Sequence, residues 1–435
     1  MGVRNIDVRA APPVFFVKNH DRMKNYRHFI ATLAVAAAGA LVASAQVTET
    51  PYSRLGYGTL GDNATGIQRH MGGVGYAMQG GRAVNSKNPA SYAATDSLTF
   101  IWDVGVDASQ VWSKEGDTKG SAFSGGLDYL SGVFRLAKNV GGSFGFIPYS
   151  STSYSFNSSI DGGTDSRSGS GSISELYLGG GWSPIKGLSV GANVSYMFGT
   201  LEHSTAITGS STSIFFRTME VRDWNLHIGA QYAFDINRKN RVVVGATYSP
   251  KKTFRGKATG TFYDATSDTK IDTAFHCDMK GNYEQPNTFG VGLSYSHTNK
   301  LFAEVDFTYQ DWSKAKYTPM TGFEPSNLKF DNRWKVSAGL QYIPDERGNY
   351  LKRINYRIGA FYNHDYLNVL GNNVRDYGVT CGFGLPALGS KSLINLGLEW
   401  KHRVSSPTCL IKEDYLNITF SVTFNEMWFW KNKIR

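Results

Sequence analysis

From residue 99 onward the chain repeats one pattern, with apolar residues at every second position and polar residues between them. In Asp223 to Ile236 the even positions are Trp224, Leu226, Ile228, Ala230, Tyr232, Phe234 and Ile236, and the odd ones include Asp223, Asn225, His227, Gln231 and Asp235. A helix turns by 3.6 residues and would scatter these side chains around its axis, whereas a strand places them on opposite faces. Leu188 to Phe198 repeats the pattern, as do the stretches 301–309, 334–342, 394–400 and 418–424. Each therefore predicts a strand with one apolar and one polar face.

The periodicity predicts fourteen such segments, at 99–111, 125–137, 141–156, 172–184, 187–199, 220–236, 240–251, 287–298, 300–313, 332–344, 354–363, 376–386, 391–402 and 416–425. Their connections alternate between short and long. Lys138 to Val140, Ile185-Lys186, Asn237 to Lys239 and Asn299 are short, and 345–353 is a charged exception on the same side. The stretches 112–124, 157–171, 200–219, 252–286, 314–331, 364–375 and 403–415 are long and polar. An even strand number with tight turns at one end and long loops at the other is what a single-chain bacterial outer-membrane barrel shows, with both termini in the periplasm. A soluble sandwich has no such two-sided asymmetry.

Composition agrees. The chain holds 48 Gly, 24 Tyr, 26 Phe and 9 Trp against 13 Pro, a mix that suits aromatic strands and turns. Mean hydropathy is −0.30, and the only long apolar run lies near the N-terminus. A barrel tolerates this because only alternate strand residues face lipid. That early run reads as a secretory leader beginning at Met23, with Lys24 and Arg27 as its basic region, Phe29 to Leu41 apolar, and Ala43-Ser44-Ala45 for cleavage. The expected mature chain starts at Gln46.

Residues 1–45 account for six of the 45 basic and two of the 35 acidic residues, leaving a net charge of +6. No clustered basic module accompanies it, so nucleic acid is not an expected partner. Cys277, Cys381 and Cys409 are too few and irregular for a disulfide framework or zinc site, though one pair is conceivable. No cofactor or metal is expected.

Trp102, Trp182, Trp224, Tyr309, Trp312, Trp334 and Trp400 fall near strand ends and suit aromatic girdles at the lipid interfaces. The polar faces line the lumen, and they carry Gly105, Gly145, Gly191, Gly229, Gly245, Gly339, Gly359, Gly382 and Gly397. Such small residues leave room for something inside. Residues 46–98, rich in glycine and without a strand period, supply a compact plug. Inward charges of both signs (Asp103, Asp107, Glu175, Glu304, Asp306, Lys335, Arg357, Glu399, Lys401) suit a plug-to-wall network. The second strand is less regular, with Leu127, Tyr129 and Val133 on one face but Leu130 and Phe134 on the other.

Met71 to Ala77 followed by Asn88-Pro89-Ala90, just ahead of the first strand, resembles the hatch of the FadL-type long-chain fatty-acid transporter family. The resemblance continues through Pro148-Tyr149-Ser150, Phe289 to Trp312 and Phe424 to Phe429. It implies an all-β fold, a 14-stranded antiparallel transmembrane β-barrel with an N-terminal hatch of short helices and loops. The implied boundaries are 1–45 for the leader, 46–98 for a periplasm-side hatch, 99–425 for the barrel and 426–435 for a periplasmic tail. It further implies a monomer through which hydrophobic ligands diffuse sideways, past a kinked third strand. Gly72, Gly73, Asn88, Pro89 and Ala90 would form the hatch motif, and Pro148, Tyr149 and Ser150 the lateral opening. Proline cannot donate to a ladder, so Pro148 inside a strand marks a break or a bulge.

Motifs that imitate catalysis are weak here. Gly141 to Gly145 and Gly187 to Gly191 fit G-x-S-x-G, but both open strands, without the strand-to-helix turn a nucleophilic serine needs. Gly56 to Gly61 fits G-x-G-x-x-G with no strand leading into it. His227 reads as a hydrated lumen histidine, and the chain is not expected to be an enzyme. Arg82 and Arg357 are candidates for holding a ligand carboxylate.

The expected function is passive uptake of hydrophobic small molecules such as long-chain fatty acids. Expected partners are that ligand, outer-membrane lipid and lipopolysaccharide, and the barrel-assembly machinery. The alternative is a structural or secretion-associated barrel that docks exported proteins. An apolar pocket joining the loops to the hatch would favour transport, and its absence docking.

Overall fold

The computed structural model describes residues 50–80, 83–264, 269–270, 275–321, 323–324, 328–387 and 391–427. The leader over Met23 to Ala45, the processed start at Gln46, Arg82 and residues 428–435 of the tail lie outside them.

Fourteen antiparallel strands form the wall. They are β1 (Thr99–Glu115), β2 (Thr118–Ala137), β3 (Val140–Ser151), β4 (Gly163–Ile185), β5 (Leu188–Thr208), β6 (Thr212–Asp235) and β7 (Asn240–Ser249). The second half comprises β8 (Thr288–His297), β9 (Leu301–Gln310), β10 (Arg333–Tyr342), β11 (Asn355–Val369), β12 (Asn372–Pro386), β13 (Leu393–Ser406) and β14 (Lys412–Met427). Each strand pairs with its sequence neighbour, and β14 closes onto β1 from Thr99↔Met427 to Lys114↔Lys412.

The period-two pattern makes the molecule apolar outside and polar within. Leu178, Trp224, Val291 and Ile358 stand exposed on the outer face, while Ser143, Gln231, Glu304 and Asn395 are buried inside. In a bilayer the outer set meets hydrocarbon, and closure pairs the backbone groups that lipid could not satisfy. Among the described residues no helix is long and apolar enough to cross a membrane.

Nine strands are longer than the periodicity predicts, mainly at the long-loop end, whereas β3 stops at Ser151 instead of 156 and β7 to β10 are two to four residues shorter than expected. The stretches 163–171, 200–208 and 212–219, read from sequence as loops, continue β4, β5 and β6. Likewise β11 and β12 carry their ladder up to Val369↔Asn372. A ladder with water on both sides needs no apolar face, so a run such as Ser166 to Ser172 pairs without showing alternation.

The irregularity of β2 has one cause. Gly105 faces Tyr129 while Val106 faces Leu127, so Asp128 is an extra bulge residue that shifts the inward and outward sets. Trp312 corrects the girdle reading: it lies in a short 3-10 turn, Trp312–Lys314, and is 1% exposed inside the loops. Trp182, Trp224 and Trp400 do face outward. The three cysteines are free thiols.

Candidate functional site: plug, seam and mouth

Residues 50–98 thread the barrel. Thr50 donates its amide to the Ser153 carbonyl at the long-loop end, and at the other end Arg135 donates to the Thr95 carbonyl. Residues 50–60 pack among the long loops. The reason is chemical: Tyr52, Leu55 and Tyr57 are apolar, and the apolar cluster that can bury them is built by those loops.

The plug meets the wall at the lumen glycines. After a one-turn helix at Gly66–Arg69, Gly72 and Gly73 take left-handed φ of 72° and 85°. They bring Met71 so close to β11 that a side chain at Gly359 would place its Cβ 2.2 Å from the Met71 carbonyl carbon. Gly72 donates its amide to Thr380 Oγ1 at 2.9 Å. Two inward carboxylates on β9 then receive the following amides: Gly75 and Tyr76 donate to Asp306 Oδ2 at 2.7 and 3.1 Å, and Ala77 donates to Glu304 Oε1 at 2.6 Å. Hydrogen bonds onto charged acceptors are the stronger kind.

Asn88 ties this knot to the next element. Its Nδ2 donates to the Tyr76 carbonyl at 2.6 Å and its Oδ1 accepts from Ala90 at 3.1 Å, capping the 3-10 helix Pro89–Ala94. Pro89 presets the helical φ there. That helix lies against β4, β5 and β6, where Gly181, Gly191 and Gly229 leave room for Asn88 and Pro89.

The third strand is interrupted in its pairing. Ladder contacts between β2 and β3 run only from Ala137↔Val140 to Leu130↔Phe146. Above that level β2 pairs with β1 alone, while β3 pairs with β4 through a bulge between Pro148 and Ser150. Plug residues take the place of β2 on the free edge of β3, with Thr59↔Ser151 and Leu60↔Ser150, and with Gly61 donating to the Tyr149 carbonyl at 2.8 Å. Pro148, Tyr149 and Ser150 thus stand together at a seam that the chain's own N-terminal segment closes.

Above the seam the mouth is full. Tyr57, Phe254, Met279, Tyr283, Trp312, Met320 and Tyr366 are buried in one cluster. Tyr57 lies 5.2 Å from Phe254 and 5.5 Å from Trp312 between ring centroids, and its amide donates to the Tyr366 hydroxyl at 3.1 Å. Burial drives the Tyr57 phenol well above its ordinary pKa. At the place where transport calls for an apolar pocket, apolar side chains pack against one another. The cavity beneath them is polar and about 100 Å³, bordered by Asp62, Tyr149, Glu175, His227, Arg333 and Lys335. A larger apolar concavity of about 790 Å³ lies on the outer face, over Leu293, Val305, Ala338, Ala360 and Leu398.

The remaining sequence candidates fall as follows. Arg357 is buried, donating Nε to Gln341 at 2.7 Å and Nη1 to Asn395 at 2.8 Å. Ser143 donates to the Gly132 carbonyl at 2.7 Å, which leaves its hydrogen spent on the wall. His227 bridges Ser249 Oγ at 2.7 Å and the Lys87 carbonyl at 2.9 Å. Gly56 and Gly58 have φ of 60° and 76° and make the bend above the seam. Sequence reasoning missed Asp62 and Arg333. Arg333 shares its inward face with Lys335 by simple alternation, which was the available signal, whereas nothing local marks Asp62.

A fourteen-stranded antiparallel barrel with an apolar outside, a polar inside and its own N-terminal segment threaded through the lumen is an outer-membrane β-barrel of the FadL-type fold. The toluene transporter TbuX of Ralstonia pickettii superposes with a TM-score of 0.57 at 15% identity, over 83% of this chain and 98% of that one. The P. putida toluene transporter TodX gives 0.60 at 16% over 85% and 99%, and a Pseudomonas aeruginosa FadL homologue 0.61 at 11% over 84% and 99%. At these identities the likeness is one of fold. The BamG family model matches residues 26–435, and the chain belongs to the BamG family. Among curated proteins none matches it by sequence.

Proposed function

We propose that this protein admits hydrophobic small molecules across the outer membrane by a sideways route through the β2–β3 seam. The short turns would face the periplasm and the long loops the outside. The observation that carries the reading is the interrupted ladder at Pro148, closed by three plug residues instead of a wall strand. A gap in a barrel wall is tolerable only where other groups satisfy its backbone, and the segment 59–61 does that without covalent closure. An apolar molecule leaving there enters the bilayer directly, where transfer is favourable by about 25 cal/mol per Å². The solved barrels of like fold include toluene transporters, which supports an apolar cargo.

The test is uptake of toluene and of a fluorescent dodecanoate into liposomes carrying the full chain. Replacing Pro148→Val, which restores a donor to β3, or Ser150→Trp, which fills the seam, should lower uptake while leaving barrel assembly unchanged. Normal uptake by both variants would remove the lateral route.

A second reading has its own support. The family name BamG points to barrel assembly, and the mouth is a packed core instead of an apolar pocket. On this reading the barrel docks exported proteins or assembly components. Co-isolation of identified barrel-assembly subunits with the protein from outer membranes, together with no uptake in liposomes, would establish it over the first.

A further inference from the structure

The outer wall carries two features that neither the plug nor the seam uses. The first is the concavity of about 790 Å³, which follows the ladder direction across the strands. Its floor is one cross-strand row, from Leu293 on β8 through Ala338 and Ala360 to Trp400 and Leu416 on β14. Six strand spacings of about 4.8 Å make this groove about 29 Å long, close to the thickness of a bilayer's hydrocarbon core. Leu293 stands four residues from the short-turn end of β8, and Leu416 eleven from that of β14. The groove therefore rises toward the long loops as it crosses the wall.

The second feature lies above the upper end of that groove. Lys114 on β1 is directly opposite both Lys119 on β2 and Lys412 on β14. All three are exposed, and by alternation they share the outward face of Trp112. Arg375 on β12 is exposed opposite Val404, and the neighbouring pair Arg403↔Glu413 sets Val404 beside Lys412, so Arg375 continues the same row. Like charges directly opposite one another destabilise a ladder. Among the described residues no carboxylate pairs with any of the three lysines, and the acid on this face of β14, Asp414, is held by His402 Nδ1 at 2.8 Å. Two residues down each strand come Tyr377, His402 and Trp112, and two further down Trp400 and Leu416 begin the groove. Aromatic side chains of this kind mark the membrane–water interface. The lysines thus stand at headgroup level, about 13 Å along the strands from an apolar trough.

We propose that the lysine row and the groove form one site for a phosphorylated, acyl-chained lipid of the lipid A type. Its phosphate lies on Lys114, Lys119 and Lys412, and an acyl chain lies along the groove over Ala360 and Ala338. The row calls for an anion, which a neutral lipid does not supply. The groove calls for a chain on the same molecule, which free phosphate does not supply. A bound phosphate also removes the repulsion between Lys114 and its two neighbours, so three lysines in register become compatible with a settled ladder. Only the outward orientation of the long loops is taken from the uptake reading, and the site itself is independent of what the barrel carries.

The experiment uses the full chain in phosphatidylcholine nanodiscs doped with bis-phosphorylated lipid A or with its dephosphorylated form. Cys381 lines the groove and is exposed, so its rate of reaction with a membrane-soluble maleimide reports occupancy. Native mass spectrometry counts the lipid retained. Lipid A should slow the Cys381 reaction and stay bound, and the dephosphorylated form should do neither. Lys114→Gln and Lys412→Gln should each weaken binding about fivefold, the effect of one cation at an anionic lipid surface. Ala360→Leu, which raises the floor, should release the lipid with the lysines intact. Displacement by inorganic phosphate, equal retention of the dephosphorylated lipid, or binding indifferent to both lysine substitutions would overturn the site. A protein cross-linked through Cys381 in native outer membranes, in place of lipid A, would overturn it as well and make the groove a protein contact. Nanodiscs offer lipid A in both leaflets, so binding there combined with its absence from native membranes refutes the orientation and leaves the site standing.

Discussion

Replacing Gly245 by alanine tests how tightly the plug is set into the wall. A Cβ built there lies 1.9 Å from the Tyr76 carbonyl oxygen, and since real Cβ contacts keep at least 3.0 Å, plug or strand must move by about 1.1 Å. Gly245 is in the middle of β7 and paired on both sides, with Gln231 and with Gly292, so the plug moves. The Tyr76 carbonyl accepts from Asn88 at 2.6 Å and from Gln231 at 3.0 Å, and its amide donates to Asp306 at 3.1 Å. A shift of that size takes these bonds past useful length. Two neutral bonds at about 1 kcal/mol each and one to a carboxylate at about 1.5–3 give a loss of about 3.5–5 kcal/mol in local docking. The ladder around β7 is untouched, so the barrel survives while the knot loosens. Planar-bilayer conductance should rise and the stretch 74–88 should become cleavable by protease, with barrel mobility on unheated gels unchanged. Gly180→Ala is the control, because its Cβ would meet only the Gly141 carbonyl, 4.0 Å away on the outer face. Unchanged conductance and protease resistance in Gly245→Ala would refute the idea that the plug is seated on these glycines.

Three further outcomes follow from the same geometry. Burial, reinforced by Arg357 and Arg69, holds the His70 imidazole down at about 3 against an ordinary 6.5. The unfolded chain therefore binds the proton more readily, and plug docking, complete above pH 6.5, weakens as pH falls toward 3; His70→Gln should blunt the loss of protease resistance between pH 6.5 and 4, and parallel curves would count against it. Cys381 stands on the outer face of β12 and Cys409 in an exposed loop, so in proteoliposomes a membrane-soluble maleimide should label Cys381, and a charged one should label Cys409 and spare Cys381. Trp312→Ala should destabilise the mouth by about 3–5 kcal/mol, read as earlier thermal loss of near-UV circular dichroism, and an unshifted transition would mean the cluster is not packed as described.

The wall was legible because lipid and lumen impose opposite chemistry on alternate residues. All fourteen predicted segments correspond one to one with wall strands. Legibility ended where that contrast ended. In the upper half of β4, Ser166 to Ser172 are half-buried or exposed and form no apolar face, so a Ser-rich and Gly-rich sequence there pairs as strand while reading as loop. Trp312 shows the opposite failure, since alternation placed it on the lipid face and the 3-10 turn after Gln310 broke the register first. The inward glycines were visible, and their purpose was inferred in outline. The plug atoms they accommodate were not visible, because contacts such as Gly245 with Tyr76 join segments about 170 residues apart and follow no local period. Asp62 is hidden for the same reason: a lone acid in a glycine-rich stretch acquires meaning only from two cations on β10.

One segment makes all three closures above the plug. Tyr57 fills the mouth against Trp312 and Phe254, Thr59 to Gly61 complete the free edge of β3, and Asp62 binds the far wall, all within six residues. At an extended rise of about 3.3 Å per residue, such a stretch spans about 20 Å, enough to touch mouth, seam and opposite wall at once. None of the three closures can open far while the other two hold, because Gly58 is tied to Tyr366 by its carbonyl at 2.6 Å and Gly61 to Tyr149 by its amide. The segment is therefore held at three points at once, one aromatic, one backbone and one ionic.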